Sequence, residues 1–180
     1  MRKTFIRFFT IADYEDEELW LREMNIEGWK LVDMTVPCFY HFESCEPEDV
    51  IYRLDFKNNM QDPEYMQMTS DFGWEYVTKC NGWLYFRKHA KEIEVAEEGE
   101  LFSDNYSRVE LVRNIVKTRL WPLVIVFFGI IIPNVFNTPG YDESARTFFT
   151  VFFGIMFVLY VYLIIYCGIK LKKIRSKYEK

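Results

Sequence analysis

Gly28-Trp29-Lys30-Leu31-Val32 returns about 45 residues later as Gly73-Trp74-Glu75-Tyr76-Val77. In each copy a glycine precedes an aromatic and β-branched run, the pattern of a helix stop followed by a strand. Two further anchors keep the same order at nearly the same offset. Upstream, Phe5-Ile6-Arg7-Phe8 aligns with Ile51-Tyr52-Arg53-Leu54; downstream, Phe39-Tyr40-His41-Phe42 aligns with Trp83-Leu84-Tyr85-Phe86. Three ordered anchors read as an internal duplication of residues 3–43 and 49–88.

Each copy reads strand, helix, strand, strand. The first strands are expected over 4–10 and 50–56, where β-branched and aromatic residues concentrate. In the second copy Asp62 is placed to cap a helix and Pro63 to occupy its first position. Tyr65, Met68 and Phe72 then share one helical face. In the first copy Asp13 or Asp16 can cap, Trp20 and Met24 share a face, and the carboxylates from Asp13 to Glu18 suit a solvated helix start. Asn81-Gly82 is a strong hairpin signal; its counterpart is a looser turn through Val36-Pro37. The expectation is an α+β fold: a mostly antiparallel six-stranded sheet with two helices on one face, Trp29 and Trp74 being paired core anchors. The first strands are apolar on both sides, so the second sheet face is expected to be covered by a partner, the membrane or a second subunit.

Charge divides the chain. Residues 1–104 carry 11 Lys+Arg and 23 Asp+Glu, a net of −12, and residues 105–180 carry 11 and 4, a net of +7, giving the overall −5. An acidic domain on a basic anchor argues against nucleic acid as a partner and for membrane lipids. The start, Met1-Arg2-Lys3 and then a short aromatic run, has no signal-peptide pattern. Uncharged, largely apolar runs follow, and transmembrane helices are expected over about 120–137 and 147–169. Arg108, Arg113, Lys117 and Arg119 precede the first; Lys170, Lys172, Lys173, Arg175, Lys177 and Lys180 follow the second. The connecting loop carries only Arg146 against Asp142 and Glu143, so both termini are expected in the cytoplasm of a two-span cell-membrane protein. Asn105-Tyr106-Ser107 is then a chance glycosylation match. Neither span has an ionisable residue at mid-depth, which argues against a pore or pump built from this hairpin alone. The expected organisation is a duplicated domain over 1–90, a charged linker over 91–102, a juxtamembrane helix over 103–119 capped by Ser103, two spans within 120–169 and a basic tail over 170–180.

Motifs for nucleotide binding, hydrolase elbows and zinc peptidases are absent, and no catalytic residue, cofactor or metal is expected. Cys38, Cys45, Cys80 and Cys167 show no C-x-x-C spacing and read as reduced packing residues. Cys38, His41 and Cys45 lack an evident fourth zinc ligand. Arg7 and Arg53, aligned in mid-strand, each need a partner. One reading pairs them with Asp55 or Glu75. The other makes them a pseudo-symmetric site for an anionic ligand or partner, walled by Tyr40 and Tyr85.

The set Glu18-Leu19-Trp20-Leu21, Gly28-Trp29, Tyr52-Arg53-Leu54-Asp55, Gly73-Trp74-Glu75-Tyr76-Val77, Trp83-Leu84-Tyr85-Phe86-Arg87-Lys88 and Glu100-Leu101-Phe102-Ser103-Asp104 resembles the bacterial domain-of-unknown-function family DUF2812. The resemblance implies a membrane protein, commonly ending in a transmembrane pair and encoded near a PadR-type regulator, with a stress-linked role. It supplies no activity and no functional residue. Three roles are therefore expected to compete. These are a membrane-tethered sensing or interaction domain, an accessory subunit of a larger membrane protein or transporter, and a membrane-bound enzyme, the last disfavoured by the missing motifs.

Overall fold

Gly28 and Gly73 close the two helices of the acidic region in the left-handed conformation, at φ +86° and +80°, which glycine adopts at little cost. The computed structural model describes residues 1–56, 63–93, 99, 101, 105–133 and 143–178. Asp62, Ser103 and the Asn137-to-Gly140 turn lie outside the described residues. Contacts divide the chain into two compact units, Met1–Leu111 and Val112–Lys180.

In the first unit the order is β1 (Arg2–Ile6), α1 (Tyr14–Ile26), β2 (Trp29–Thr35), β3 (Phe39–Ser44), β4 (Val50–Phe56), α2 (Pro63–Asp71), β5 (Glu75–Cys80) and β6 (Trp83–His89). The strands form two three-stranded antiparallel sheets, ordered β1-β3-β2 and β4-β6-β5. Both halves thus share one strand order. Each also breaks register at the same place after its glycine, between Leu31 and Asp33 in β2 and between Tyr76 and Thr78 in β5. Asn81 and Gly82 both take positive φ, as a two-residue hairpin turn demands. The β2–β3 connection passes through a cis Val36–Pro37 bond.

A single six-stranded sheet with both helices on one face is not what forms. Helix α1 lies between the two sheets, because its apolar residues cover two sides. Trp20 meets Tyr40 and Phe42 of the first sheet at ring-centroid distances of 4.9 and 5.7 Å. Tyr14 stacks on Trp83 of the second at 5.4 Å. Helix α2 covers the other face of the second sheet, where Tyr65 and Met66 pack on Trp74, Leu84 and Phe86. Trp83 to Phe86 are consequently buried without interruption. The second face of β4 is therefore filled by the chain itself, where a partner, membrane or second subunit was expected. On α2 the packed face is Tyr65, Met66 and buried Thr69, while Met68 and Phe72 stay exposed. Trp74 is a core anchor; Trp29 is only half-buried, with the Lys3 ammonium 4.5 Å from its ring centroid. The sheets meet at β2 and β5, where the Thr78 hydroxyl donates to Asp33 at 2.7 Å and Arg87 donates to the Leu31 carbonyl at 3.2 Å. Leu101, expected in a linker, packs against the Trp74 cluster.

In the second region α3 (Asn105–Ile115) is followed by a π turn (Val116–Leu120), α4 (Trp121–Val126) and another π turn (Phe127–Ile131); α5 spans Glu143–Tyr178. Within α5, Thr147–Ser176 is a 30-residue helix long and apolar enough to cross a membrane. Among the described residues it is the one such helix, so the expected two-helix hairpin is not established. The preceding segment is divided by widened turns on either side of α4, in which Pro122 lacks a backbone donor. Phe127 packs on Phe157 and Tyr160 of α5 at 5.2 and 6.4 Å.

Candidate functional site

Two acids at the start of helix α1, Asp13 and Glu17, lie in the interior. Asp13, buried at the helix start, accepts from the Thr10 amide at 2.8 Å and from the Thr10 hydroxyl. One turn on, Glu17 is 6 % exposed and points between the sheets. The Tyr40 hydroxyl, from β3, and the Tyr85 hydroxyl, from β6, each donate to Glu17 Oε1 at 2.8 Å. Burial raises the Glu17 pKa, and Asp13 adds to the rise; the two tyrosine hydrogen bonds oppose it. Both phenols are pushed far above their ordinary value, by burial first and then by the Glu17 charge, so they remain donors. Burial, followed by Glu17 and Asp33, also pushes the Cys80 thiol up, which keeps it protonated and unreactive.

A cleft of about 80 Å³ opens above this carboxylate, bordered by Phe9, Tyr14, Val36, Cys80 and Trp83 as well as the two tyrosines. None of its described lining residues is basic. A larger cleft, about 240 Å³, lies among Lys30, Glu48, Glu75, Arg87 and His89. There the charges meet one another: Arg87 grips Glu75 through two nitrogens at 2.6 and 2.7 Å, and His89 and Lys91 both reach Glu48 at 3.2 Å.

Of the residues expected to bind a ligand, Tyr40 and Tyr85 come together, on Glu17. Arg7 and Arg53 do not occupy matching places. In register, Lys3 faces Phe42 and Arg53 faces Phe86, which makes Lys3 the counterpart of Arg53. Arg7 lies beyond the end of β1, with its guanidinium 5.1 and 4.9 Å from the ring centroids of Phe9 and Trp20. Arg53 donates to Glu18 at 3.3 Å and to the Tyr52 carbonyl at 3.0 Å. Glu18 uses its other oxygen to accept the Leu54 amide at 2.7 Å. Of the partners first considered for the arginines, Asp55 accepts from Tyr65 at 2.7 Å and Glu75 binds Arg87. His41 bridges the Thr4 and Thr35 hydroxyls, each at 2.9 Å. Among the described residues no group of three or more His, Cys, Asp and Glu side chains could hold a metal ion.

The carboxylate run is thus not simply a solvated helix start. Glu17 was overlooked, and a signal for it exists. Tyr14, Glu17, Leu21 and Met24 follow one another at helical spacing, so an acid stands in the stripe that packs.

The sequence pattern of DUF2812, a protein family of unknown function, matches residues 13–125. The chain belongs to the DUF2812 family. The DUF2812 match takes in α1 and β2 to β6, and with them Glu17, Tyr40 and Tyr85; Arg7 lies before it. No curated protein and no solved structure matches the chain.

Proposed function

We propose that this is a two-span membrane protein with cytoplasmic termini, and that its α+β unit is a sensing or interaction domain. Its recognition element is the cleft over Glu17. One observation carries the reading: a buried carboxylate, held by a tyrosine from each sheet, forms part of the lining of a cleft. Apolar packing could join the sheets without an acid, and burying one is costly even where it accepts from two tyrosines. The spanning length of α5 supports attachment to a membrane, and the basic residues flanking the two apolar runs support the orientation. The shared strand order and matching register breaks support descent of the two halves by duplication. No reaction is assigned: burial keeps Cys80, the one thiol in the described lining, protonated.

The reading is tested on the full chain purified in a maltoside detergent. Native mass spectrometry should find a small molecule retained by the wild type. Val36→Trp, a change at a residue 58 % exposed on the cleft border, should abolish that retention without unfolding the protein. A stoichiometric multi-span protein copurifying equally with both forms, and no retained small molecule, would instead favour the accessory-subunit role.

A further inference from the structure

We propose that the cleft over Glu17 takes a small organic ammonium group, which lodges its positive charge on the free oxygen of that carboxylate against an aromatic wall. The proposal rests on the reading of this cleft as the recognition element and names the class of ligand.

Four features lead to it. The first is the state of the carboxylate. Both phenols are spent on Oε1. Among the described residues Oε2 accepts no hydrogen bond, and no side-chain oxygen or nitrogen is fully enclosed without one, so Oε2 keeps accessible surface on a residue that lines the cleft. The second is sign. Glu17 is the one carboxylate in the described lining and no Lys, Arg or His stands there, so an anion finds no partner, whereas a cation supplies the opposite charge that favours the ionised form of Glu17 against its burial. The third is the wall. Phe9, Tyr14 and Trp83 border the space, and aromatic faces attract ammonium groups most strongly where water is scarce. Phe9 already shows the affinity, with the Arg7 guanidinium near its ring. The fourth is size. About 80 Å³ is well short of the roughly 150 Å³ cavity that admits benzene, so a head group of a few heavy atoms fits and a nucleobase or sugar ring does not.

Tetramethylammonium and methylammonium chlorides are the probes, titrated into the full chain in maltoside and followed by tryptophan fluorescence at constant ionic strength. Neopentyl alcohol serves as the uncharged match for shape. At least one ammonium salt should give a saturable response, and Glu17→Gln, which keeps an acceptor for both tyrosines, should weaken it about tenfold. Should the Gln form fold poorly, Val36→Lys, which sets a like charge on the exposed cleft border, should weaken the response in its place. A response that recurs with phosphatidylcholine vesicles would mark the group as a lipid head; one confined to the soluble salts would mark a free amine. Neopentyl alcohol binding as tightly as the salts, or Glu17→Gln binding like the wild type, would overturn the cation while leaving the cleft as a binding site. Silence from both ammonium salts would overturn the cation, and together with no molecule retained by the wild type it would remove the cleft as a binding site as well.

Discussion

Tyr40 and Tyr85 donate to the same oxygen, Oε1 of Glu17, each at 2.8 Å, although they belong to different sheets. Removing the acceptor strands two buried donors at once. Glu17→Ala should therefore cost about 1–3 kcal/mol for each hydroxyl left unpaired, read as a drop in melting temperature. Glu17→Gln should cost less, because its amide oxygen still accepts. Equal melting temperatures for Ala and Gln would show that the shared oxygen does not hold the sheets.

Acidity gives an independent handle on the same residue. The folded state raises the Glu17 pKa above its ordinary 4.5, so between those values the native protein holds a proton that the unfolded chain releases. Its contribution is thus greatest below 4.5 and falls as pH rises through the raised value. Asp33, Asp49 and Glu75 act oppositely: hydrogen bonds lower their pKa values, and their contribution is lost as pH falls. Subtracting the melting profile of Glu17→Gln from that of the wild type isolates Glu17. Facing it are Asp13, Tyr40, Tyr85 and Cys80, of which the phenols and the thiol stay protonated across that window. The difference should decline with rising pH; a flat or rising difference contradicts a destabilised carboxylate.

The two arginines should behave unequally. Arg7 is exposed and makes ring contacts, so Arg7→Ala should cost no more than about 1 kcal/mol. Arg53 and Glu18 keep side-chain exposures of only 24 % and 11 %, and Glu18 also holds the β4 backbone at Leu54. Glu18→Ala should cost about 1–3 kcal/mol by removing the acceptor of that amide. Equal losses of thermal stability from Arg7→Ala and Arg53→Ala would contradict the difference between the two arginines.

Much of this first unit was legible in the sequence because local rules governed it. Gly28, Gly73 and Asn81-Gly82 fix backbone conformations that few other residues tolerate, and β4 falls on the range its composition indicates. The arginine alignment failed for a related reason: with no special backbone residue to pin its register, β1 was placed four residues too late against β4. The division into two sheets was hidden because α1 supplies contacts on two sides, a tertiary fact that strand patterning does not record. Glu17 looked like one of several surface acids until the sheets closed around it.

Topology is open to chemistry on intact cells. In a chain freed of its four native cysteines, single cysteines at Ser107, Ser144 and Ser176 should report the orientation to an impermeant thiol reagent. Position 144 should label, and positions 107 and 176 should label only after the membrane is breached. Labelling of 107 or 176 in intact cells, with 144 silent, would reverse the assignment.

The most direct test of the cleft is to see which tryptophan feels a ligand. The chain has five, and 5-fluorotryptophan gives each a fluorine resonance in the full-length protein, with Trp83 assigned through Trp83→Phe. Tetramethylammonium or methylammonium, whichever saturates the fluorescence response, should shift the Trp83 resonance, and Glu17→Gln should remove the shift, while Trp29 and Trp74, which do not border the cleft, stay in place. A Trp83 resonance unmoved at saturating salt, or movement confined to Trp29 or Trp74, would contradict the account.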